Sequence, residues 1–341
     1  MRLWRAAAVS GVCLVVAACT TVEGGGDLRS TAESTVADGG TPSTDRASLQ
    51  AQKKPFMAMS VPRSRYETIT AVEADVGQRL DLIRWFQRWD DDLSYPDMQQ
   101  AMAEGRRVHL SVRPAGSAGL LVPWRDLADA EPGTAVYDDL VAWVDRMAAL
   151  PDGSYVTLNH EPETRDSAAN GTAEDFKAMW RRWNELLDER GGGHLQTVWV
   201  LTGGAFNGPV ADQWYPGDES VDIVGVDPYN WYLCQGSVRE WVEFADLVAP
   251  ALAFAEAHGK PLAVAETASV EDPAQPGRKA EWIRNAAAYL ADPSVAAKFE
   301  YVSWFNVTAP GGTYPDCVWD YDTSPESRDA FVELVRRLGD G

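Results

Sequence analysis

Rhythm constrains this chain more than any single motif. Short apolar runs alternate with stretches of helical periodicity, one pair roughly every 30–35 residues, as expected of parallel βα units. Eight strand signals can be read, over residues 56–60, 80–86, 107–113, a run starting at Tyr155, 195–201, 221–227, 261–266 and 299–305. Helical patterns fall over 63–77, 95–104, 135–150, 172–190, 238–258, 278–290 and 326–338, and Trp124 is placed in a loop. The strongest is 172–190, where Phe176, Met179, Trp180, Trp183, Leu186 and Leu187 share one face before Gly191-Gly192-Gly193 ends it. Eight such units fit a closed barrel better than an open sheet. No Gly-x-Gly-x-x-Gly follows the first strand, which argues against a dinucleotide-binding fold. The expected class is α/β, a single (β/α)8 TIM barrel over residues 56–341.

The residues before the barrel carry a different signal. Arg2 and Arg5 precede an apolar run that ends Val16-Ala17-Ala18-Cys19. Small residues before a cysteine resemble a bacterial lipobox, in which cleavage leaves the cysteine first, with lipid on its sulfur and amine. Residues 1–18 are therefore expected to be a lipoprotein signal peptide and Cys19 the lipidation site. An ordinary secretory signal and a retained membrane helix are the alternatives, though the run is short for a span. Residues 19–55 hold no aromatic side chain and are rich in Gly, Ser, Thr, Ala, Asp and Glu. Such a segment cannot bury enough apolar surface to offset its ordering entropy, so a disordered tether is expected. The implied location is the outer face of the bacterial cell membrane, with the barrel exported, lipid-anchored and monomeric.

Of the four cysteines, Cys13 lies in the signal and Cys19 takes lipid. Cys234 and Cys317 remain, an even pair in an oxidising compartment, and a disulfide is expected, with two buried thiols as the alternative. A net charge of −21 argues against nucleic acid or anionic lipid as a partner. Fourteen tryptophans are more than a core readily uses, so some are expected to line a groove.

The active site of such a barrel lies at the C-terminal ends of its strands. Strand four ends Asn159-His160-Glu161, followed by a proline. Strand seven is Leu262-Ala263-Val264-Ala265-Glu266, apolar until its last residue. Three βα units apart, Glu161 and Glu266 then face one another across the barrel mouth. Paired carboxyls are what glycoside hydrolysis requires: one a proton donor, the other an ionised nucleophile or base. His160-Glu161-Pro162-Glu163-Thr164 begins like a zinc-protease motif, but Thr164 stands where the second histidine belongs and Pro162 breaks the helix that motif needs. No metal and no cofactor is expected.

On these residues the chain resembles glycoside hydrolase family 26, whose best-known members are β-mannanases, within the clan of barrels with catalytic glutamates after strands four and seven. The likeness runs from about residue 56 to 338. His160-Glu161 resembles the family's acid/base pair, and Glu266, at the end of 260–266, its nucleophile. The segment 215–230, from Tyr215-Pro216-Gly217-Asp218-Glu219 through Asp227-Pro228-Tyr229-Asn230, is similar to the family's strand-six region, which implies that Tyr229 sits beside the nucleophile. Trp304-Phe305-Asn306 resembles the strand-eight sugar platform, and 320–331 the closing segment. One stretch departs: Pro162-Glu163-Thr164-Arg165-Asp166 stands where family mannanases carry a small residue, a glycine and aromatics.

The resemblance implies Glu161 and Glu266 as catalytic residues, with His160, Tyr229, Trp304, Arg113 and Asn159 as substrate-binding candidates. Arg113 ends strand three and could orient Glu161 or touch sugar; Asn159 also has a structural reading. Trp85, Trp199 and Trp231 are secondary sugar-contact candidates. The implied activity is retaining hydrolysis of a β-linked polysaccharide, endo-β-1,4-mannan first, with a lichenase-type β-glucan or xylan as alternatives. A sugar-binding lipoprotein without activity is the rival from another class; it would have no need for both glutamates.

Overall fold

A computed structural model of the chain describes residues 55–60, 66–91, 96–236, 238–307 and 316–339. The expected signal peptide, Cys19 and all of the tether except Pro55 lie outside the described residues.

The strands are β1 (Phe56–Ser60), β2 (Leu82–Arg88), β3 (Arg107–Arg113), β4 (Tyr155–Leu158), β5 (Gln196–Thr202), β6 (Ile223–Asp227), β7 (Leu262–Thr267) and β8 (Phe299–Phe305). Each pairs in parallel with its sequence neighbours, and β8 returns to β1, so the sheet closes as a (β/α)8 barrel. The helices are α1 (Tyr66–Val76), α2 (Pro96–Ala103), α3 (Trp124–Ala128), α4 (Ala135–Ala148), α5 (Ala173–Glu189), α6 (Val210–Trp214), α7 (Phe244–Ala257), α8 (Arg278–Leu290), α9 (Pro293–Ala296) and α10 (Pro325–Gly339). α5 shows why the pattern was legible. Thr172 and Asp175 cap its first turn reciprocally, and its whole predicted apolar face is buried.

Two local expectations change. Trp124 opens α3 and is fully buried, against Phe176 and Trp214. α7 begins at Phe244, although helical spacing reaches back to residue 238. The backbone of Val242 is engaged sideways instead: its N–H meets Asn230 Oδ1 at 3.3 Å and its carbonyl accepts from Trp282 Nε1 at 2.9 Å.

Alternation along the strands packs the barrel interior with Ala58, Leu82, Tyr155, Val198, Val200, Ile223, Ala263, Ala265 and Tyr301. Gly225 is required here, because a Cβ on it would lie 2.6 Å from Val200 Cγ2. Two irregularities break the alternation. The β7–β8 register shifts between Leu262 and Val264, and again between Val264 and Thr267. The second inserts an extra residue into β7, so Glu266 as well as Ala265 reaches the interior.

Candidate active site

The site sits on a polar layer above that apolar plug. Arg84, on β2, is fully buried. Its Nη1 lies 2.9 Å from His109 Nδ1 and its Nη2 donates to Glu266 Oε1 at 3.3 Å. Thr157 Oγ1 donates to the Val198 carbonyl at 2.5 Å, so it accepts from His109 Nε2 at 2.8 Å. That fixes the tautomer: His109 carries its proton on Nε2 and presents Nδ1 to Arg84 and to Tyr301 Oη, 2.6 Å away. Burial, then the Arg84 charge, hold this imidazole neutral.

Glu266 is buried, and both its oxygens have donors. Tyr229 Oη donates to Oε2 at 2.5 Å and Arg84 to Oε1. Burial pushes the carboxyl up; the Arg84 charge and the two hydrogen bonds pull it back toward the ionised form. Tyr229 is placed by the same geometry that fixes β7, since its backbone bridges to Ala268.

Across the cleft, the end of β4 is bent. Asn159 (φ 62°) and Glu161 (φ 48°) both occupy the left-handed region, a strained choice for residues with side chains. The bends let neighbouring residues diverge. Asn159 turns inward: its Oδ1 accepts from Trp124 Nε1 at 3.3 Å, and its Nδ2 donates to the His160 carbonyl at 3.0 Å and Ser167 Oγ at 3.3 Å. His160 stands on Phe86, edge to face with centroids 5.4 Å apart, and its Nδ1 meets Ser111 Oγ at 2.8 Å. Burial, then Arg84 and Arg113, push it down to about 3, so it is neutral. Burial first, then the Glu266 and Glu163 charges, push Glu161 up to about 8, against Arg84 and a hydrogen bond with Asp227.

Asp227, ending β6, was not singled out in the sequence. It is buried 4.0 Å from Arg84 Nη2, and burial followed by the Glu266 charge raises it well above the usual carboxylate range. Neither of its oxygens finds a donor among the described residues, so in its contact with Glu161 Asp227 is the side that supplies the proton. Arg84 was missed too. The available signal was parity: each is a charged side chain on the inward phase of an otherwise apolar strand.

One expected role fails on geometry, and two further candidates are engaged within the protein. Trp304 is no platform: on β8, Tyr301, Ser303 and Phe305 face inward, and Trp304 points out onto Trp282 and Phe331, its Nε1 donating to the Trp319 carbonyl at 2.9 Å. Phe305 takes the cleft position instead. With Tyr229, Trp231 and Trp319 it builds an aromatic wall, with centroids 4.6–5.9 Å apart. Asn159 is buried and its amide is used within the protein, the structural one of its two readings. Arg113 donates to the Asp166 carbonyl, bracing the loop beyond Glu161 rather than touching it. Of the secondary candidates, Trp85 and Trp199 are core and Trp231 is in the wall. Cys234 and Cys317 are bonded, joining the loops that carry Trp231 and Trp319.

Fold and site together define a (β/α)8 barrel with an anchored carboxylate at the end of β7 and a raised carboxyl after β4. A family model described as "Glycosyl hydrolase family 26" matches residues 165–274, a stretch that holds Asp227, Tyr229 and Glu266 and begins just past Glu161. The chain is similar to that family over this stretch. It is 26% identical over 274 residues to endoglucanase H of Acetivibrio thermocellus, a match spanning 76% of this chain and 28% of that protein. Solved structures with the same fold include a GH26 β-mannanase from Bacteroides ovatus, 17% identical with TM-score 0.59, covering 84% of this chain and 90% of that one. A modular endo-β-1,4-mannanase from Cellulomonas fimi is 19% identical with TM-score 0.57, covering 84% and 72%. At these identities the structural likeness bears on the fold alone.

Proposed function

We propose that this barrel hydrolyses internal β-linkages of a polysaccharide with net retention. The observation that carries the reading is the unequal treatment of two carboxyls: Glu266 is held by Tyr229 and Arg84, while burial and like charge keep the proton on Glu161. Glu266 attacks the anomeric carbon as the bond to the leaving oxygen breaks, and Glu161 gives that oxygen its proton. Glu161, now ionised, takes a proton from the water that releases the sugar from Glu266. Rigid fixation at both oxygens suits a nucleophile better than a base that must turn toward a water. Neutral His160 and the aromatic wall are the sugar-facing surfaces.

β-1,4-Mannan is the first substrate choice. Mixed-linkage β-glucan is the second, favoured by the relative whose name is an endoglucanase. The Cys19 signal supports an exported, lipid-anchored monomer on the outer face of the bacterial membrane. Reducing-sugar release from mannan, glucomannan, mixed-linkage glucan and xylan tests the activity, with Glu266→Gln as the folded control. Release from one polymer that vanishes in the variant, with the new reducing end first seen in the β-configuration, supports the reading. Sugar binding equal in both proteins, without turnover, replaces it with a binding function. Palmitate labelling that is lost in Cys19→Ala checks the anchor.

A further inference from the structure

Glu163 is the residue for which neither the activity nor the fold accounts. It lies in the stretch that departs from the family pattern. Glu161, Pro162, Glu163 and Thr164 form a tight turn in which the Thr164 N–H and Oγ1 both donate to the Glu161 carbonyl, at 3.3 and 2.9 Å. The turn folds Glu163 back beside Glu161. Its Oε1 is then locked to the end of β5 by the Thr202 N–H at 2.7 Å and Thr202 Oγ1 at 2.8 Å. Its Oε2 is buried with no hydrogen-bond partner among the described residues. A carboxylate clamped by one oxygen, with the other buried, is poorly screened, so its field reaches its neighbours.

We propose that Glu163 is a positioning residue for the general acid: its clamped charge keeps the proton on Glu161 until the glycosidic oxygen takes it. The inference rests on the reading of Glu161 as that acid. The groups facing Glu161 are Glu266 from β7, Asp227 from β6, Arg84 from β2 and Glu163 from its own loop. Arg84 opposes protonation and already serves Glu266 and His109; Glu163 adds a second like charge, held by Thr202 rather than by Arg84. When Glu266 bonds to the sugar, its charge is lost, and Glu161 becomes easier to ionise as it must give up its proton. Burial raises the Glu163 carboxyl and the two Thr202 bonds pull it back toward the ionised form; in that form its charge favours re-protonation of Glu161 from the attacking water in the second step.

The experiment is a carboxyl 13C NMR titration of glutamate-labelled protein, with Glu161→Gln identifying the resonance. In Glu163→Gln, which keeps the shape and the acceptor for Thr202, the Glu161 titration moves down by about half a pH unit or more. The basic limb of kcat/KM on the polymer moves with it. Hydrolysis of an aryl glycoside whose leaving group needs no proton keeps the wild-type profile on that side. Thr202→Val, which removes a hydrogen bond but leaves the charge, moves the titration less. An unmoved Glu161 titration in a folded Glu163→Gln protein, with only a lowered melting temperature, reduces Glu163 to a strut for β5. A shift in Thr202→Val as large as in Glu163→Gln also overturns the charge argument. The titration needs no turnover, so a protein inactive on every glycan tests the functional reading and leaves this result standing or falling by itself.

Discussion

Tyr229→Phe removes one oxygen and tests how Glu266, the proposed nucleophile, is held. The ring packs between Trp319, Trp231 and Phe305 with centroids at 4.6, 5.1 and 5.9 Å, so phenylalanine keeps the wall intact. What disappears is the 2.5 Å bond to Glu266 Oε2. A hydrogen bond to a buried charged acceptor is worth about 1.5–3 kcal/mol, a ten- to hundred-fold preference for the ionised carboxylate. Loss of a donor to the charged form raises the carboxyl further, so the acid limb of kcat/KM moves to higher pH. The basic limb, set by Glu161 near 8, stays where it is. Initial rates across pH 4–9 are the assay. The variant is expected to run about ten-fold or more below wild type on the acid side and to approach it above the new limb. A uniform loss at every pH, with the limb unmoved, refutes this reasoning and makes Tyr229 a substrate contact instead.

Three further outcomes follow. Glu161 is held with its proton up to about pH 8 when folded and to about 4.3 when unfolded, so the native state binds more protons between those values and stability falls as pH rises through them; Glu161→Gln should remove much of that slope and stabilise the protein by a few kcal/mol at pH 8 and little at pH 4, by denaturant titration. Breaking Cys234–Cys317 releases a cross-link across 83 residues and is expected to lower stability by up to about 4 kcal/mol, with KM rising as the wall loosens; unchanged unfolding after reduction would contradict it. Trp304→Phe should lower the melting temperature with KM unchanged, whereas Phe305→Ala should raise KM with little thermal effect; the opposite pattern would restore Trp304 as the platform.

Periodicity made the barrel legible. Strands buried on both faces read as continuous apolar runs, and their spacing counts βα units whatever the loops do. The same runs made Glu161 and Glu266 visible, because an ionisable group at the end of an apolar strand stands out. Orientation was harder. Which side of β8 Trp304 occupies depends on strand parity, and the two register shifts between β7 and β8 break parity where the site is built. An inserted residue leaves no mark in the apolar pattern, so Glu266 reads as the next residue of an alternating strand although Ala265 beside it also points inward. The ambivalence of Asn159 has a similar cause: its turn away from the cleft comes from left-handed backbone, and a single asparagine does not announce that φ. Trp124 and the start of α7 were decided by tertiary hydrogen bonds to Asn159 and Asn230, partners distant in the chain.

The division of labour among the carboxyls follows from counting charge. Glu161, Asp227 and Glu266 lie in the field of buried Arg84, with Glu163 beside Glu161, while His109 and His160 are held neutral. Ionising all four in so dry a place is prohibitive, so some must keep their protons, and the donors decide which. Glu266 has two donors, Tyr229 and Arg84, and Glu163 has two from Thr202, and these are the positions where donors favour charge. Asp227 has none on either oxygen among the described residues, and burial followed by the Glu266 charge favours its protonated form. Glu161 is left with neighbours that repel its ionised form and an Asp227 proton that tolerates it. It is therefore the member of the set whose proton is easiest to move in both directions, which is what the acid/base role proposed for it requires. Removing the Tyr229 donor shifts the balance of charge among these carboxyls without altering the fold. The pH profile, more than the rate at any one pH, is where the arrangement can be read.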